Sequence, residues 1–231
     1  MNSSQTTLYR SPDGLWRSPL LDAEPWLEHA FGTALVRPGG TWRELKQVHS
    51  ALVVTCDEWD EELEADALVA VQPGIGIAVK SADCLPILLA DPDHRVVAAI
   101  HAGWRGCVAE VAIRAVEKIE ALTNIRRSRL LAAFGPSIRA CCFEVGPEVG
   151  QQFIPWFPER NDLSSHTHID LPEACRRQLT TAGLSADCIS DLAPCTVCGG
   201  GLADPSEFYS WRRDHKTGTR MHSAIWIRQS S

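Results

Sequence analysis

One thiol and two imidazoles stand at the edges of apolar segments in this chain. They are His49 in Gln47-Val48-His49, Cys84 in Ser81-Ala82-Asp83-Cys84-Leu85-Pro86, and His101 opening His101-Ala102-Gly103-Trp104-Arg105-Gly106. Two imidazoles and one thiolate make a three-ligand set for zinc, with a fourth position open to water or substrate. Asp83, beside Cys84, has the chemistry to orient a ligand or to move a proton. Cys84, His101 and Asp83 are therefore the candidate catalytic groups, and His49, Cys84 and His101 the candidate metal ligands. With no metal, the same residues would make Cys84 a nucleophile and His101 or His49 its base. The three ligands are far apart in sequence, and a Cys beside a strand is also an ordinary small core residue.

The loop at 101–106 adds a second kind of chemistry. Two glycines at a strand-to-helix turn let backbone N–H groups approach an anion, and Arg105 brings a guanidinium fork suited to phosphate or carboxylate. Gly103 and Arg105 are thus candidate phosphate binders; alternatively the glycines only permit the bend. The segment Phe208-Tyr209-Ser210-Trp211-Arg212-Arg213-Asp214 combines aromatic faces with arginines. Arg212 is a candidate substrate contact, although Arg212 or Arg213 could equally pair with an internal acid. Cys195-Thr196-Val197-Cys198 has the spacing of a zinc knuckle or redox pair. Adjacent Cys141 and Cys142 look like poor partners for it, so these thiols read as incidental. The remaining histidines (94, 166, 168, 215, 222) have no local motif.

The elements that must position these residues are short. Apolar runs bounded by turn residues predict strands over 30–36, 52–54, 66–71, 75–80, 85–89, 96–100, 130–134, 188–192 and 221–227. The runs at 75–80, 85–89 and 96–100 follow one another closely, as in a meander or hairpin. Helical spacing of Ala112, Ala115, Val116, Ile119 and Leu122 predicts a helix opened by Gly106. A further helix starts near Pro147. Another starts at Asp170-Leu171-Pro172-Glu173, with an acid at the N-cap, and ends at Gly183. Residues 1–30 read as a loosely structured lead-in ending in a short helix, within a single domain over 1–231. Strands in runs with helices between them predict an α+β or mixed α/β class.

Composition narrows the function. The chain has 231 residues, 45% hydrophobic and 22% charged, with a net charge of −7. No basic cluster is present to neutralise a phosphate backbone, so nucleic acid is not expected as a partner. No apolar run reaches the roughly 20 residues of a membrane span. Nine cysteines without an apolar signal-peptide core predict a reduced, cytoplasmic setting, with a monomer or homodimer acting on a small molecule.

Ser-Ala-Asp-Cys-Leu-Pro-Ile-Leu-Leu-Ala-Asp at 81–91 and His-Ala-Gly-Trp-Arg-Gly at 101–106 resemble the laccase-domain family, the YfiH-type, multicopper-oxidase-like polyphenol oxidases. Gln47-Val48-His49, Asp66-Ala67-Leu68, Gly135-Pro136-Ser137-Ile138, Cys142-Phe143-Glu144-Val145, and Phe208 to Arg213 with Thr217-Gly218 follow in the family's order. The resemblance covers roughly residues 45–228. It implies a layered α/β/β/α sandwich with mixed β-sheets and a zinc ion on His49, Cys84 and His101. It implies a purine nucleoside phosphorylase acting on adenosine, inosine and 5′-methylthioadenosine with phosphate, and adenosine deamination at the same site. Copper is the less favoured metal, since a laccase needs several copper centres and eight histidines are few for that. Other readings are a Cys-His hydrolase or deamidase acting on a cell-wall (peptidoglycan) precursor, a polyphenol oxidase, and a non-catalytic zinc-binding relative. Relative to the family pattern, the segment before Gln47 is shortened and Thr219 interrupts a Thr-Gly-Arg tail.

Overall fold

The computed structural model describes residues 7–215 and 218–229. Fourteen strands alternate with six helices along the described chain. β1 (Tyr9–Arg10), β2 (Trp16–Arg17), α1 (Pro19–Asp22), β3 (Leu27–Phe31), β4 (Trp42–Arg43), β5 (Val53–Thr55) and β6 (Ala67–Ala70) come first. β7 (Gly76–Ser81), β8 (Leu85–Asp91), β9 (Val96–Ala102), α2 (Trp104–Val108), α3 (Val111–Thr123) and β10 (Leu131–Phe134) form the middle. β11 (Glu144–Val145), α4 (Pro147–Gly150), β12 (Thr167–His168), α5 (Leu171–Thr181), β13 (Ile189–Ser190), α6 (Trp211–Asp214) and β14 (Met221–Ile227) complete it.

Two mixed six-stranded sheets carry the fold, in the orders β1-β2-β3-β14-β7-β4 and β13-β10-β8-β9-β6-β5, with β11-β12 a separate ribbon. The fold is mixed α/β, with few helices beside many strands. Every residue of β8 and β9 is buried, which explains why both read as continuous apolar runs rather than alternating ones. Their side chains divide by parity. Leu85, Ile87, Leu89, Val96, Ala98 and Ile100 pack with α2, α3 and α5. Leu88, Ala90, Val97 and Ala99 face Ile77, Val79, Phe31 and Ile225 of the other sheet. The order is therefore helices, sheet, sheet, and a central strand serves two cores at once.

Several expectations are corrected by tertiary structure. β7, β8 and β9 are not one meander. β8 and β9 form a hairpin, while β7 pairs with β14 and β4 in the other sheet. The chain changes sheets at 82–84, where Asp83 has φ 86°. The strand expected at 30–36 lies at Leu27–Phe31 instead. Thr33 ends it, because its hydroxyl accepts the N–H groups of Leu35 and Val36 and turns the chain. The lead-in is built into the first sheet as β1, β2 and β3 with α1 between, and its residues 1–6 lie outside the described ones. The helix expected from Gly106 breaks at Glu110, whose φ is 66°, into α2 and α3. Leu122 is exposed, whereas Ala112, Ala115, Val116 and Ile119 are fully buried. Thr217, part of the tail motif, is also outside the described residues.

Candidate metal centre and cavity

Cys84 immediately precedes β8 and His101 lies near the end of β9, whereas His49 comes from a loop between β4 and β5. His49 follows β4 in an irregular segment. There the backbone N–H groups of Val48 (3.3 Å), His49 (3.0 Å) and Ser50 (2.6 Å) all donate to the Asp66 carboxylate. Three successive N–H groups converge on one anion only if the chain curls, and His49 accordingly takes φ 61°. The Ser50 hydroxyl adds a fourth donor at 2.7 Å. Asp66 immediately precedes β6 and is fully buried. His101, near the end of β9, gives its Nδ1 to Asp66 Oδ1 at 2.8 Å, and its own N–H to the Asp66 carbonyl at 2.7 Å. One carboxylate thus shapes the His49 loop and fixes the His101 ring.

Cys84 arrives from the sheet-switching turn. Its Sγ lies 3.8 Å from His49 Nε2, and the two imidazole centroids are 4.9 Å apart and nearly perpendicular. Ligand atoms of His49, Cys84 and His101 all fall within 4.8 Å of one another. Zinc bonds of about 2.3 Å to sulfur and about 2.0 Å to nitrogen put such atoms roughly 3.3–3.5 Å apart, so small side-chain adjustments bring this donor set onto one ion. The carboxylate on His101 Nδ1 is the outer partner that directs Nε2 of a metal-binding histidine inward.

The electrostatics favour a charged pair. Burial works against a Cys84 thiolate. It is outweighed by hydrogen bonding and charge from His101 and His49, which bring the thiol down to about 6. Burial likewise opposes a His101 imidazolium, but Asp66 and Cys84 outweigh it and raise that ring to about 9. Asp66 is held below the usual carboxylate range: its burial is overcome by the bonds from His101 and Ser50.

These ligands line a cavity of about 650 Å³, within the usual range for a small-molecule site. Arg105, Arg212 and Arg220 also line it, with Phe143, Trp104 and Trp211. Arg105 lies over the Trp104 ring at 4.3 Å. The Arg212 guanidinium stands 5.7 Å from the Phe143 ring and donates to the Glu144 carbonyl at 3.0 Å. Arg213 turns away from the cavity, paired with Asp214 at 2.7 Å and donating to the carbonyls of Thr196, Pro205 and Phe208.

Asp83 fits the orienting role expected of it rather than the proton-moving one, and Gly103 stands apart from the cavity wall. The Asp83 carboxylate is buried, and both its oxygens are taken: Oδ1 accepts from Thr196 Oγ1 (2.6 Å), and Oδ2 from Ser210 Oγ (3.1 Å) and the Arg212 N–H (2.7 Å). It therefore positions the Cys84 turn. Gly103 is not among the residues lining the cavity; a Cβ there would lie 2.8 Å from the His49 ring and 3.0 Å from Cys84 Sγ. It is glycine because the backbone passes against the ligands, and α2 behind it is only five residues long. The sequence assigns no site role to Asp66, which reads as the start of a strand within a family motif, or to Arg220. It also presents four cysteines as incidental. Cys141, Cys142, Cys195 and Cys198 in fact form a second cluster, their sulfurs within 4.8 Å of one another.

The chain thus combines a two-sheet mixed α/β fold with a His2Cys group that could hold a metal ion at the edge of a cavity. The chain belongs to the multi-copper polyphenol oxidoreductase laccase family, whose model matches residues 28–228. It is 38% identical over 191 residues to a purine nucleoside phosphorylase of Deinococcus radiodurans, covering 79% of this chain and 69% of that one. It is also 38% identical over 184 residues to adenosine deaminase RL5 of an unknown prokaryotic organism, covering 73% and 68%. The fold matches YfiH of Bacillus licheniformis at a TM-score of 0.81 and 20% identity, over 96% of this chain and 99% of that one. It matches YlmD from Geobacillus stearothermophilus at a TM-score of 0.81 and 23% identity, over 97% and 100%. Among the described residues, no helix is long and apolar enough to cross a membrane.

Proposed function

We propose that this protein is a zinc-dependent purine nucleoside phosphorylase that also deaminates adenosine. The observation that carries this reading is the convergence of His49, Cys84 and His101 in a cavity that three arginines share. The names of the relatives at 38% identity supply the reaction class. Zinc is preferred to the copper of the family's description because a laccase needs several copper centres. Among the described residues the only other metal-type group is the four-cysteine cluster.

Zinc held by His49, Cys84 and His101 would supply Lewis-acid polarisation at a site with an open position. The protein's own residues do the rest. Asp66 holds His101 in one tautomer, with Nε2 toward the ligand position. Arg105, Arg212 and Arg220 provide the positive charge that a phosphate requires before it attacks the anomeric carbon of the ribose. Phe143 and Trp211 offer apolar faces for the purine that leaves. Gln47 clips the His49 loop to β7 through paired bonds with the Lys80 backbone, at 2.7 and 2.8 Å. For deamination the same cavity admits water to purine C6, and ammonia departs.

The direct experiment incubates adenosine, inosine and 5′-methylthioadenosine with the purified protein, with and without phosphate, and separates the products. Ribose-1-phosphate (or its methylthio analogue) and free base are expected only with phosphate, and inosine from adenosine without it. If none of these forms, the reading fails. A second reading takes Cys84 as a thiolate nucleophile with an imidazolium partner in a metal-free hydrolase, supported by the lowered Cys84 and raised His101. Iodoacetamide separates the two. Rapid alkylation of Cys84 in protein loaded with zinc favours the thiol enzyme, and protection of Cys84 favours the metal one.

A further inference from the structure

Cys141, Cys142, Cys195 and Cys198 lie outside the cavity, and none of them lines it. Their assembly depends on long-range backbone pairing. Ser137 and Cys195 form a parallel bridge, in which Ser137 donates its N–H to the Pro194 carbonyl at 3.3 Å and its carbonyl accepts from the Thr196 N–H at 3.0 Å. Arg139 adds bonds to the carbonyls of Asp191 (3.1 Å) and Ala193 (3.2 Å). A tight turn follows, with the N–H groups of Cys142 and Phe143 both on the Arg139 carbonyl at 2.9 Å. That curl lets two adjacent cysteines direct their sulfurs toward Cys195 and Cys198.

The sulfur positions match a metal site better than a disulfide. Cys141 Sγ and Cys198 Sγ are 3.4 Å apart and all four thiols are free, whereas a disulfide needs about 2.05 Å. Four sulfurs around one tetrahedral zinc, at about 2.3 Å each, stand roughly 3.8 Å from one another. The Cys195-to-Cys198 loop has the backbone of a ligand knuckle. After Cys198 come Gly199, Gly200 and Gly201, with φ of 75°, 61° and 76°. Gly199 donates to the Cys195 carbonyl at 2.8 Å, and the Gly200 N–H is directed at the Cys198 sulfur. A β-carbon on Gly200 would stand 3.4 Å from the Cys195 nitrogen. Arg213 braces the loop from outside through the Thr196 carbonyl at 2.9 Å. Hydrophobic packing does not account for the grouping, since Cys141 and Cys198 are both exposed.

We infer that Cys141, Cys142, Cys195 and Cys198 bind a structural zinc ion through four thiolates, separate from the His49–Cys84–His101 centre. An all-sulfur, four-coordinate set selects a soft divalent ion and leaves no position for substrate. Zinc replaces the thiol protons, which pass to solvent, and no electron is transferred. The ion stiffens the outer wall of the cavity. Thr196, inside the knuckle, holds Asp83, and Phe143, next to Cys142, lines the cavity. The inference does not depend on which reaction the cavity performs.

The test measures bound zinc and the cobalt-substituted absorption spectrum in full-length protein. Three proteins are compared: the wild type, a His49→Ala/His101→Ala variant and a Cys195→Ser/Cys198→Ser variant. The histidine variant is expected to keep one zinc per chain, together with the intense sulfur-to-cobalt charge-transfer band of a tetrathiolate. Stripping that zinc with a chelator should lower its Tm by roughly 5–10 °C. The cysteine variant should lose one zinc and most of the band's intensity, keeping only the weaker single-thiolate contribution of Cys84 at the other centre, which still fills. Should the cysteine variant fail to fold, the histidine variant decides alone. A histidine variant without zinc and without the thiolate band, or a Cys141–Cys198 disulfide found by alkylation and mass analysis, overturns the inference.

Discussion

The two clusters of metal-type side chains differ in the way that separates working from structural sites. The His49–Cys84–His101 group mixes nitrogen and sulfur, joins a loop residue to residues at the start of β8 and the end of β9, and borders a cavity of about 650 Å³. The Cys141–Cys142–Cys195–Cys198 group is all sulfur, sits on loops and borders none of that cavity. Three ligands leave a coordination position for chemistry, and four thiolates close it. The supports differ as well. A buried carboxylate, Asp66, organises the first group, whereas glycine turns and backbone pairing organise the second. An anion beside an imidazole tunes protons; a glycine turn only shapes a cage.

The largest difference should emerge on varying pH. Between about 6 and 9 the metal-free first cluster carries a Cys84 thiolate and a protonated His101. Filling the site then releases one proton, so zinc affinity there should rise about tenfold per pH unit. Below about 6 Cys84 is protonated too and the dependence steepens, while above about 9 it flattens. The same shifts act on the stability of the metal-free protein. The raised His101 contributes fully below its ordinary 6.5, and that contribution is lost as pH rises through about 9. The lowered Cys84 contributes fully above its ordinary 9.0, and that is lost as pH falls through about 6. Competition titrations with a chromophoric chelator on the Cys195→Ser/Cys198→Ser variant isolate this centre. A flat profile between 6 and 9 would remove the proton-tuned half of the contrast.

Next in size is Asp66→Asn. An amide keeps the shape but presents an N–H group where five donors now converge, and leaves several unpaired. The expected cost is about 3 kcal/mol of stability, or roughly 6–12 °C in Tm. Zinc affinity at the first centre should fall about 10–100-fold, with the four-cysteine centre still filled. Calorimetry and metal analysis on the one variant read both. Equal loss of metal from both centres would mean that Asp66 supports the whole fold rather than one site.

Local chemistry made part of this architecture legible in the sequence. The helix from Asp170 is capped as its sequence predicts, with Oδ1 accepting the Glu173 N–H at 3.0 Å, and Gly183 takes φ 104° beyond its end. The last strand, 221–227, matches residue for residue. His49, Cys84 and His101 stood out because each sits in a distinctive motif at an apolar boundary. What stayed hidden depends on pairing between distant segments. Asp66 looked like the first residue of a strand, and nothing local says that its carboxylate gathers the 48–50 loop. Cys141 and Cys142 seemed badly placed because their partnership with Cys195 requires the Ser137 bridge. The separation of β7 from β8 was likewise invisible, since the left-handed residue that switches sheets is Asp83 and not glycine.

The smallest expected effect addresses the link between the two clusters. Thr196 lies between Cys195 and Cys198, and its hydroxyl donates to Asp83 Oδ1 at 2.6 Å, one residue from Cys84. Thr196→Val keeps the shape and removes that bond alone, while Ser210 and the Arg212 N–H still hold Oδ2. The loss should be about 1–2 kcal/mol. If the second cluster serves to hold the first, that cost should depend on whether the knuckle is filled. With zinc in the four-cysteine site, Thr196 stays in place and its removal should lower kcat/KM by roughly 5–30-fold. In the Cys195→Ser/Cys198→Ser background the loop already wanders, and the same substitution should change little. A double-mutant cycle over these variants gives the coupling directly. Additive costs would make the two clusters neighbours without communication, with Asp83 held mainly by Ser210 and the Arg212 backbone.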